Sequence, residues 1–131
     1  MKDKTARDVM TQRMITVHEN TVLTEAIETL LRYGISGLPV VDDDNNLIGI
    51  ICEHDLMNFT FSGDAETTRV KEGMTSDVYT FPPEKGLPEI VNAFASRKIR
   101  HVPIVENGKL IGIVSRRDIL REMLRIYGRA A

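Results

Sequence analysis

Two short runs in this chain carry residue types suited to holding a phosphate and a sugar. The first is Gly112-Ile113-Val114-Ser115-Arg116-Arg117-Asp118, where an apolar strand leads into a helix. A helix N-terminus offers unpaired N–H groups and a partial positive charge, which suits phosphate. Ser115 and Arg116 add a hydroxyl and a guanidinium to it, and a carboxylate one turn later, Asp118, can accept from both hydroxyls of a ribose. The same spacing is also a helix cap: Ser-x-x-Asp is close to a capping box, with Ser115 as N-cap and Asp118 at the third helical position. A cap of this kind contributes about 1 kcal/mol without any ligand. Taken alone, the motif divides between cap and binding site.

The second run, Gly49-Ile50-Ile51-Cys52-Glu53-His54-Asp55, keeps the Gly and the Asp but loses the hydroxyl and the Arg. Cysteine is a poor cap, so capping alone leaves the return of the Asp unexplained. Cys52-x-His54-Asp55 has metal-ligand character. No second cluster completes a coordination shell, however, and sequential side chains at a strand–helix junction are expected to point apart, so no metal is expected. Cys52 lacks an evident positioned base and is not read as a nucleophile. His18 reads as a surface residue just after a strand; for His101, before a strand, packing and phosphate contact both stay open. Beyond Asp55 and Asp118 there is no paired-carboxylate constellation, and there is no phosphate-loop glycine motif. No enzyme is expected.

The two runs belong to a longer duplication. From Met10 to Val41 the chain repeats at an offset of 64 residues: Met10 and Met74, Thr11 and Thr75, Glu25 and Glu89, Pro39 and Pro103. After one deletion in a turn the offset becomes 63, so Gly49 meets Gly112 and Asp55 meets Asp118. Such a unit is larger than a solenoid repeat of about 20–50 residues. It predicts a pseudo-twofold pair, with two related sites in a cleft between the copies.

Each copy reads as β-α-β-β-α behind a short helical lead, Thr5 to Met10 or about Arg69 to Met74. The triplets Ile15-Thr16-Val17 and Tyr79-Thr80-Phe81 predict the first strands. Val22, Leu23, Ala26, Ile27, Leu30 and Leu31 recur at helical spacing, copied by Leu87, Ile90, Val91 and Phe94, and Gly34 ends the first of these helices. Two apolar strands follow, joined by Asp42-Asp43-Asp44-Asn45-Asn46 or by Glu106-Asn107-Gly108-Lys109, whose Asn-Gly pair signals a hairpin. Closing helices are predicted from about His54 to Phe59 and from Arg116 to Tyr127. The organisation is repeat one at about 5–60, a polar linker at about 61–68 and repeat two at about 69–127. The last helix carries a broad apolar face (Ile119, Leu120, Met123, Leu124, Ile126, Tyr127) that core packing or a partner subunit could cover.

With 131 residues the chain fits one compact module, able to bury roughly two thirds of its unfolded surface. The hydrophobic content of 42% and charged content of 27% are those of an ordinary globular protein. A formal net charge of -2 argues against general nucleic-acid binding. No apolar run reaches the roughly 18 residues of a membrane span, and no hydrophobic leader follows Met1. The single cysteine, Cys52, suits a reducing cytoplasm. Charge is unevenly spread. Residues 35–60 hold five acids and no Lys or Arg, whereas residues 97–125 hold eight bases: Arg97, Lys98, Arg100, Lys109, Arg116, Arg117, Arg121 and Arg125. That second stretch divides between solvated helix faces and a surface that draws anions.

The duplicated pattern of Met-Thr before the first strand, Ile-Ser-Gly-Leu-Pro-Val-Val-Asp and Gly-Ile-Val-Ser-x-x-Asp resembles the CBS-domain family, and its tandem copies resemble a CBS pair, or Bateman module, over about residues 5 to 125. The resemblance implies an α/β (α+β) fold of two pseudo-twofold repeats packed through their sheets. It implies an adenosyl ligand, AMP, ADP or ATP, with S-adenosylmethionine or NAD as further possibilities, and no required cofactor. One site would hold Ser115, Arg116 and Asp118 with Ile15, Thr16, Ile35 and Ser36. There Asp118 takes the ribose, Ser115 and Arg116 the phosphates, and Ile15 with Ile35 flanks the adenine. The other would hold Asp55 with Tyr79, Thr80, Ile99, Arg100 and His101, and departs from the family pattern at Cys52. The implied protein is a cytoplasmic regulatory module, a homodimer read by an effector protein, with no membrane and no nucleic acid as partner. The alternative is a structural dimerisation module that binds no ligand. A nucleic-acid accessory, resting only on the basic stretch, is the third reading.

Overall fold

In the computed structural model, which describes residues 1–128, the elements follow the duplicated order. The first copy runs α1 (Ala6–Val9), β1 (Val17–His18), α2 (Leu23–Tyr33), β2 (Gly37–Val41), β3 (Leu47–Cys52) and α3 (Glu53–Met57). The second runs α4 (Val70–Gly73), α5 (Leu87–Arg97), β4 (His101–Glu106), β5 (Lys109–Ser115) and α6 (Arg116–Tyr127). The fold is mixed α+β, with small sheets and helices as the repeat predicts.

The long helices form where the apolar period places them. α2 turns Leu23, Ala26 and Leu30 inward, and α5 does the same with Leu87, Ile90, Ala93 and Phe94. Gly34 stops α2 in the left-handed region at φ 62°. Lys98 takes that conformation at φ 55°, a place where a side chain costs about 1–2 kcal/mol more than glycine. Both hairpins turn on left-handed residues: Asn45 (φ 64°) in the first copy, Asn107 (φ 54°) and Gly108 (φ 81°) in the second. In the first turn, the Asp42 carboxylate accepts the backbone N–H groups of Asp44 and Asn46, each at 2.9 Å.

The leading strands are shorter than their triplets predict. β1 holds Val17 and His18, pairing parallel with Val40 and Val41, so His18 lies in the strand and Ile15 and Thr16 precede it. Tyr79-Thr80-Phe81 forms no strand, only a parallel bridge from Phe81 to Ile104. Pro82 and Pro83 follow at once, and neither can donate to a ladder. α3 likewise stops at Met57 instead of Phe59. The Thr60 and Ser62 hydroxyls beyond it turn back onto the carbonyls of Met57 and Phe59, competing with helical bonds.

By packing, the chain divides into residues 15–78 and residues 1–14 with 79 onward. In the 15–78 unit, β1, β2 and β3 form a sheet whose Val17, Leu38, Val40 and Ile51 pack with Leu23, Ala26 and Leu30 of α2. In the other unit the β4–β5 hairpin gives Val102, Ile104 and Val114 to a core shared with Leu87, Ile90 and Phe94. Both hairpins shift register at the same place, between Val40 and Val41 and between Ile104 and Val105.

The leads are exchanged. Sequence order sets α1 before the first copy, yet its fully buried Ala6 belongs to the core with Phe81, Leu87 and Ile104. Val70 of α4, also fully buried, lies with Val17, Leu23 and Leu38. Behind each lead, the recurrent Met-Thr pair lies against the closing strand of the same unit. Thr11 exchanges two backbone hydrogen bonds with Ile113 (2.8 and 3.0 Å), and Thr75 does so with Ile50 (2.8 and 2.9 Å). The adjoining methionine lies over the recurrent glycine. A Cβ on Gly49 would come within 2.6 Å of Met74 Sδ, and one on Gly112 would collide with Met10. Met, Thr and Gly therefore recur to make one close approach of backbones. No described helix is long and apolar enough to cross a membrane.

Candidate functional site

The Ser115-Arg116-Arg117-Asp118 run folds as the capping box its spacing predicts. Asp118 N–H donates to Ser115 Oγ at 3.3 Å, and Ser115 N–H donates back to Asp118 Oδ2 at 2.7 Å. Ser115 Oγ also donates to Oδ2, at 3.0 Å. The other carboxylate oxygen, Oδ1, accepts Thr11 Oγ1 at 2.8 Å and Arg121 Nη1 at 2.9 Å. Asp118 is 6% exposed, and these four donors satisfy its buried charge. Cap and candidate ligand residue are thus the same carboxylate. Thr11 and Arg121 were not among the expected site residues. Their signals were the Thr11–Thr75 recurrence and an arginine one turn beyond Asp118.

Arg116 lies at the head of α6, and its Nη2 reaches the Ile99 carbonyl at 3.4 Å. Ser115 stands opposite His101 across the hairpin. Ile99 and His101 are half-buried, and Arg100 between them is exposed. Tyr79 and Thr80 are half-buried in the same unit. The Tyr79 ring meets Phe81 edge-on at 5.1 Å and carries the Arg97 guanidinium at 4.0 Å from its centroid. Ser115, Arg116 and Asp118 therefore share a unit with Tyr79, Thr80, Ile99, Arg100 and His101. Ile15, Thr16, Ile35 and Ser36, all half-buried, lie in the 15–78 unit with Asp55. There the Ser36 carbonyl accepts Glu53 N–H at 3.0 Å.

The first copy corrects two expectations. Cys52 caps α3, and its N–H donates to Asp55 Oδ2 at 2.8 Å, as Ser115 does to Asp118. This half of the box needs only the backbone of the N-cap residue, so capping does account for the return of the Asp despite Cys52. Nor do the side chains at this junction point apart. One ligand atom from each of Cys52, His54 and Asp55 falls within 4.8 Å of the others, and His54 Nε2 lies 3.3 Å from Asp55 Oδ1.

Much of the basic stretch is committed to neighbours. Arg121 pairs with Asp118, and Arg125 makes two hydrogen bonds to Glu122, at 2.6 and 3.1 Å. Those bonds hold the Glu122 carboxyl below the ordinary carboxylate range and raise Arg125 above its own. Arg97 lies over Tyr79. Of the apolar residues of α6, Ile119 packs into the core, while Leu120, Met123, Leu124, Ile126 and Tyr127 face outward.

The CBS-domain profile matches residues 6–61 and again residues 69–125. The chain belongs to the CBS-domain family. Among curated relatives, the uncharacterized protein MJ1225 of Methanocaldococcus jannaschii is 31% identical over 88% of the chain. The chain spans 41% of MJ1225 and 25% of the inosine-5'-monophosphate dehydrogenase of the same organism. Among solved structures, the CBS-pair protein CBSX2 of Arabidopsis thaliana, in complex with AMP, superposes with a TM-score of 0.87. It is 30% identical, over 95% of this chain and 98% of that one. The CBS pair of MJ0100, in complex with 5'-methylthioadenosine and S-adenosyl-L-methionine, gives a TM-score of 0.80 and 27% identity, over 92% of this chain and 95% of that one.

Proposed function

We infer that this CBS pair is a regulatory, non-catalytic module that binds an adenosine nucleotide of the AMP, ADP or ATP type in the cytoplasm and is read by an effector protein. The observation that carries the reading is the likeness to a CBS pair holding AMP, over nearly the whole length of both chains. Ser115, Arg116 and Asp118 supply the chemistry for one ligand: a carboxylate for the ribose, a hydroxyl and a guanidinium for phosphate. Asp55 is the corresponding carboxylate of a second, poorer site, where Cys52 and Glu53 replace the phosphate donors.

Asp118 already accepts from four donors, so a ribose must displace some of them. Arg121 is the least costly to displace, because its side chain is 67% exposed and regains water. Thr11 follows the lead directly and is paired by two backbone bonds to Ile113 of β5, so a ribose that displaces its hydroxyl acts where the lead meets the closing strand. A ligand that favours one of these arrangements shifts the population of the lead, and a partner can read that shift. The outward apolar residues of α6 support a homodimer as the form in which the module acts.

A thermal-shift screen with AMP, ADP, ATP, S-adenosylmethionine and NAD tests the reading. At least one should raise Tm, and Arg116→Ala, at an exposed position, should shrink that rise while leaving the ligand-free Tm in place. Silence from every adenosyl compound would overturn the sensor and leave a structural dimerisation module.

A further inference from the structure

The sharpest unexplained difference between the copies lies at the start of α3, where Cys52, His54 and Asp55 stand in place of Ser115, Arg117 and Asp118. Thiol, imidazole and carboxylate are the three side chains that bind zinc, and here they converge within 4.8 Å. We propose that Cys52 Sγ, His54 and Asp55 form a three-ligand site for zinc or a similar divalent transition metal, with a water in the fourth position.

The geometry fits this assignment. Zn–N and Zn–O bonds of about 2.0–2.2 Å in a tetrahedron set adjacent ligand atoms about 3.3–3.5 Å apart. His54 Nε2 and Asp55 Oδ1 stand 3.3 Å apart, the length of one such edge. Asp55 Oδ2 is occupied by the Cys52 N–H at 2.8 Å, which fixes the carboxylate plane and turns Oδ1 toward the imidazole. An oriented carboxylate of this kind raises metal affinity. The thiolate edge, with Zn–S near 2.3 Å, is about 3.6 Å. Rotation of the half-buried Cys52 side chain and of the His54 ring, 80% exposed, can close the rest of the span.

Binding transfers the Cys52 thiol proton to solvent as the metal–sulfur bond forms, and it requires neutral His54. The second copy lacks this capacity. Ser115 and Arg117 replace the sulfur and the imidazole, while Thr11 and Arg121 occupy the free carboxylate oxygen. One metal per chain is the expected stoichiometry, and because Asp55 is also the carboxylate of the second nucleotide site, metal and nucleotide exclude one another there.

The test is titration of the full chain, stripped with chelator, first with Co²⁺ and then with Zn²⁺. The expected result is one equivalent of Co²⁺ with a sulfur-to-cobalt charge-transfer band in the near ultraviolet and the visible bands of a tetrahedral ion, both removed by Zn²⁺. Cys52→Ser should abolish the charge-transfer band, and Cys52→Ser and His54→Ala should each weaken Zn²⁺ binding at least about tenfold. Ser115 shows that serine is accepted at this N-cap, so Cys52→Ser tests the ligand without testing the fold. Circular dichroism confirms the fold of His54→Ala, whose side chain is exposed. Absence of the charge-transfer band, or a Zn²⁺ affinity indifferent to both substitutions, would overturn the site.

Discussion

The Thr11 hydroxyl donates to Asp118 Oδ1 at 2.8 Å across 107 residues of chain. It joins the first residues described to the head of α6, at a buried carboxylate. Thr11→Val keeps the shape of the side chain and removes one donor from a buried charge. A loss of about 1.5–3 kcal/mol is expected, the range for a hydrogen bond to a charged group, and urea unfolding measures it.

The methionine–glycine contacts make a second prediction. Gly112→Ala and Gly49→Ala should each cost about 1–3 kcal/mol, because the new methyl meets Met10 or Met74 at a place where backbones are paired. Shortening the methionine relieves the collision. The Gly112→Ala, Met10→Ala pair should therefore be less destabilised than the sum of its single substitutions, which a double-mutant cycle by chemical denaturation reads directly.

Substitution in an exchanged lead should weaken the copy it packs into. Val70→Ala leaves a cavity beside Leu23 and Leu38. Native-state hydrogen exchange should show faster opening of the β2–β3 amides than of the β4–β5 amides. The reverse order would contradict the packing.

How much of this was legible beforehand follows from what repetition can and cannot encode. The copied apolar periods placed α2 and α5, and Asn107-Gly108 placed the second hairpin, because both signals are local. The Asp118 box was legible for the same reason: its partners lie three residues apart. Exchange of the leads was not legible. Met10 and Met74 are equivalent in the repeat, and nothing in a repeat tells which glycine each one covers. Thr11 at Asp118 was hidden likewise, since its partner is distant in sequence. Cys52 misled in two ways: its poor side-chain cap concealed a backbone cap, and its place at a strand–helix junction concealed the approach of His54 and Asp55.

Cys52→Ser should stabilise the ligand-free and metal-free protein by about 1 kcal/mol, since it supplies α3 with the capping hydroxyl that α6 has. Urea midpoints of the chelator-treated proteins compare the two. An unchanged or lower midpoint would show that the thiol is already as good a cap.

Asp8 gives a pH dependence. The Thr5 N–H donates to its carboxylate at 2.8 Å and holds its pKa below the ordinary value. A group lowered in the folded state contributes stability above its unfolded pKa and loses it as pH falls through the folded one. The difference in stability between the natural chain and Asp8→Asn should therefore be largest near neutrality and shrink toward zero in acid, measured by unfolding across the carboxylate range.

The exchanged leads also set an order of events during synthesis. Everything the 15–78 unit needs has emerged once residue 78 leaves the ribosome, so its sheet and its borrowed α4 can close while the rest is still being made. The other unit must keep residues 1–14 waiting, with Ala6 and Met10 exposed, until β5 and α6 have also emerged. A chain cut off after residue 78 and released would thus hold one finished half and one unattached leading segment.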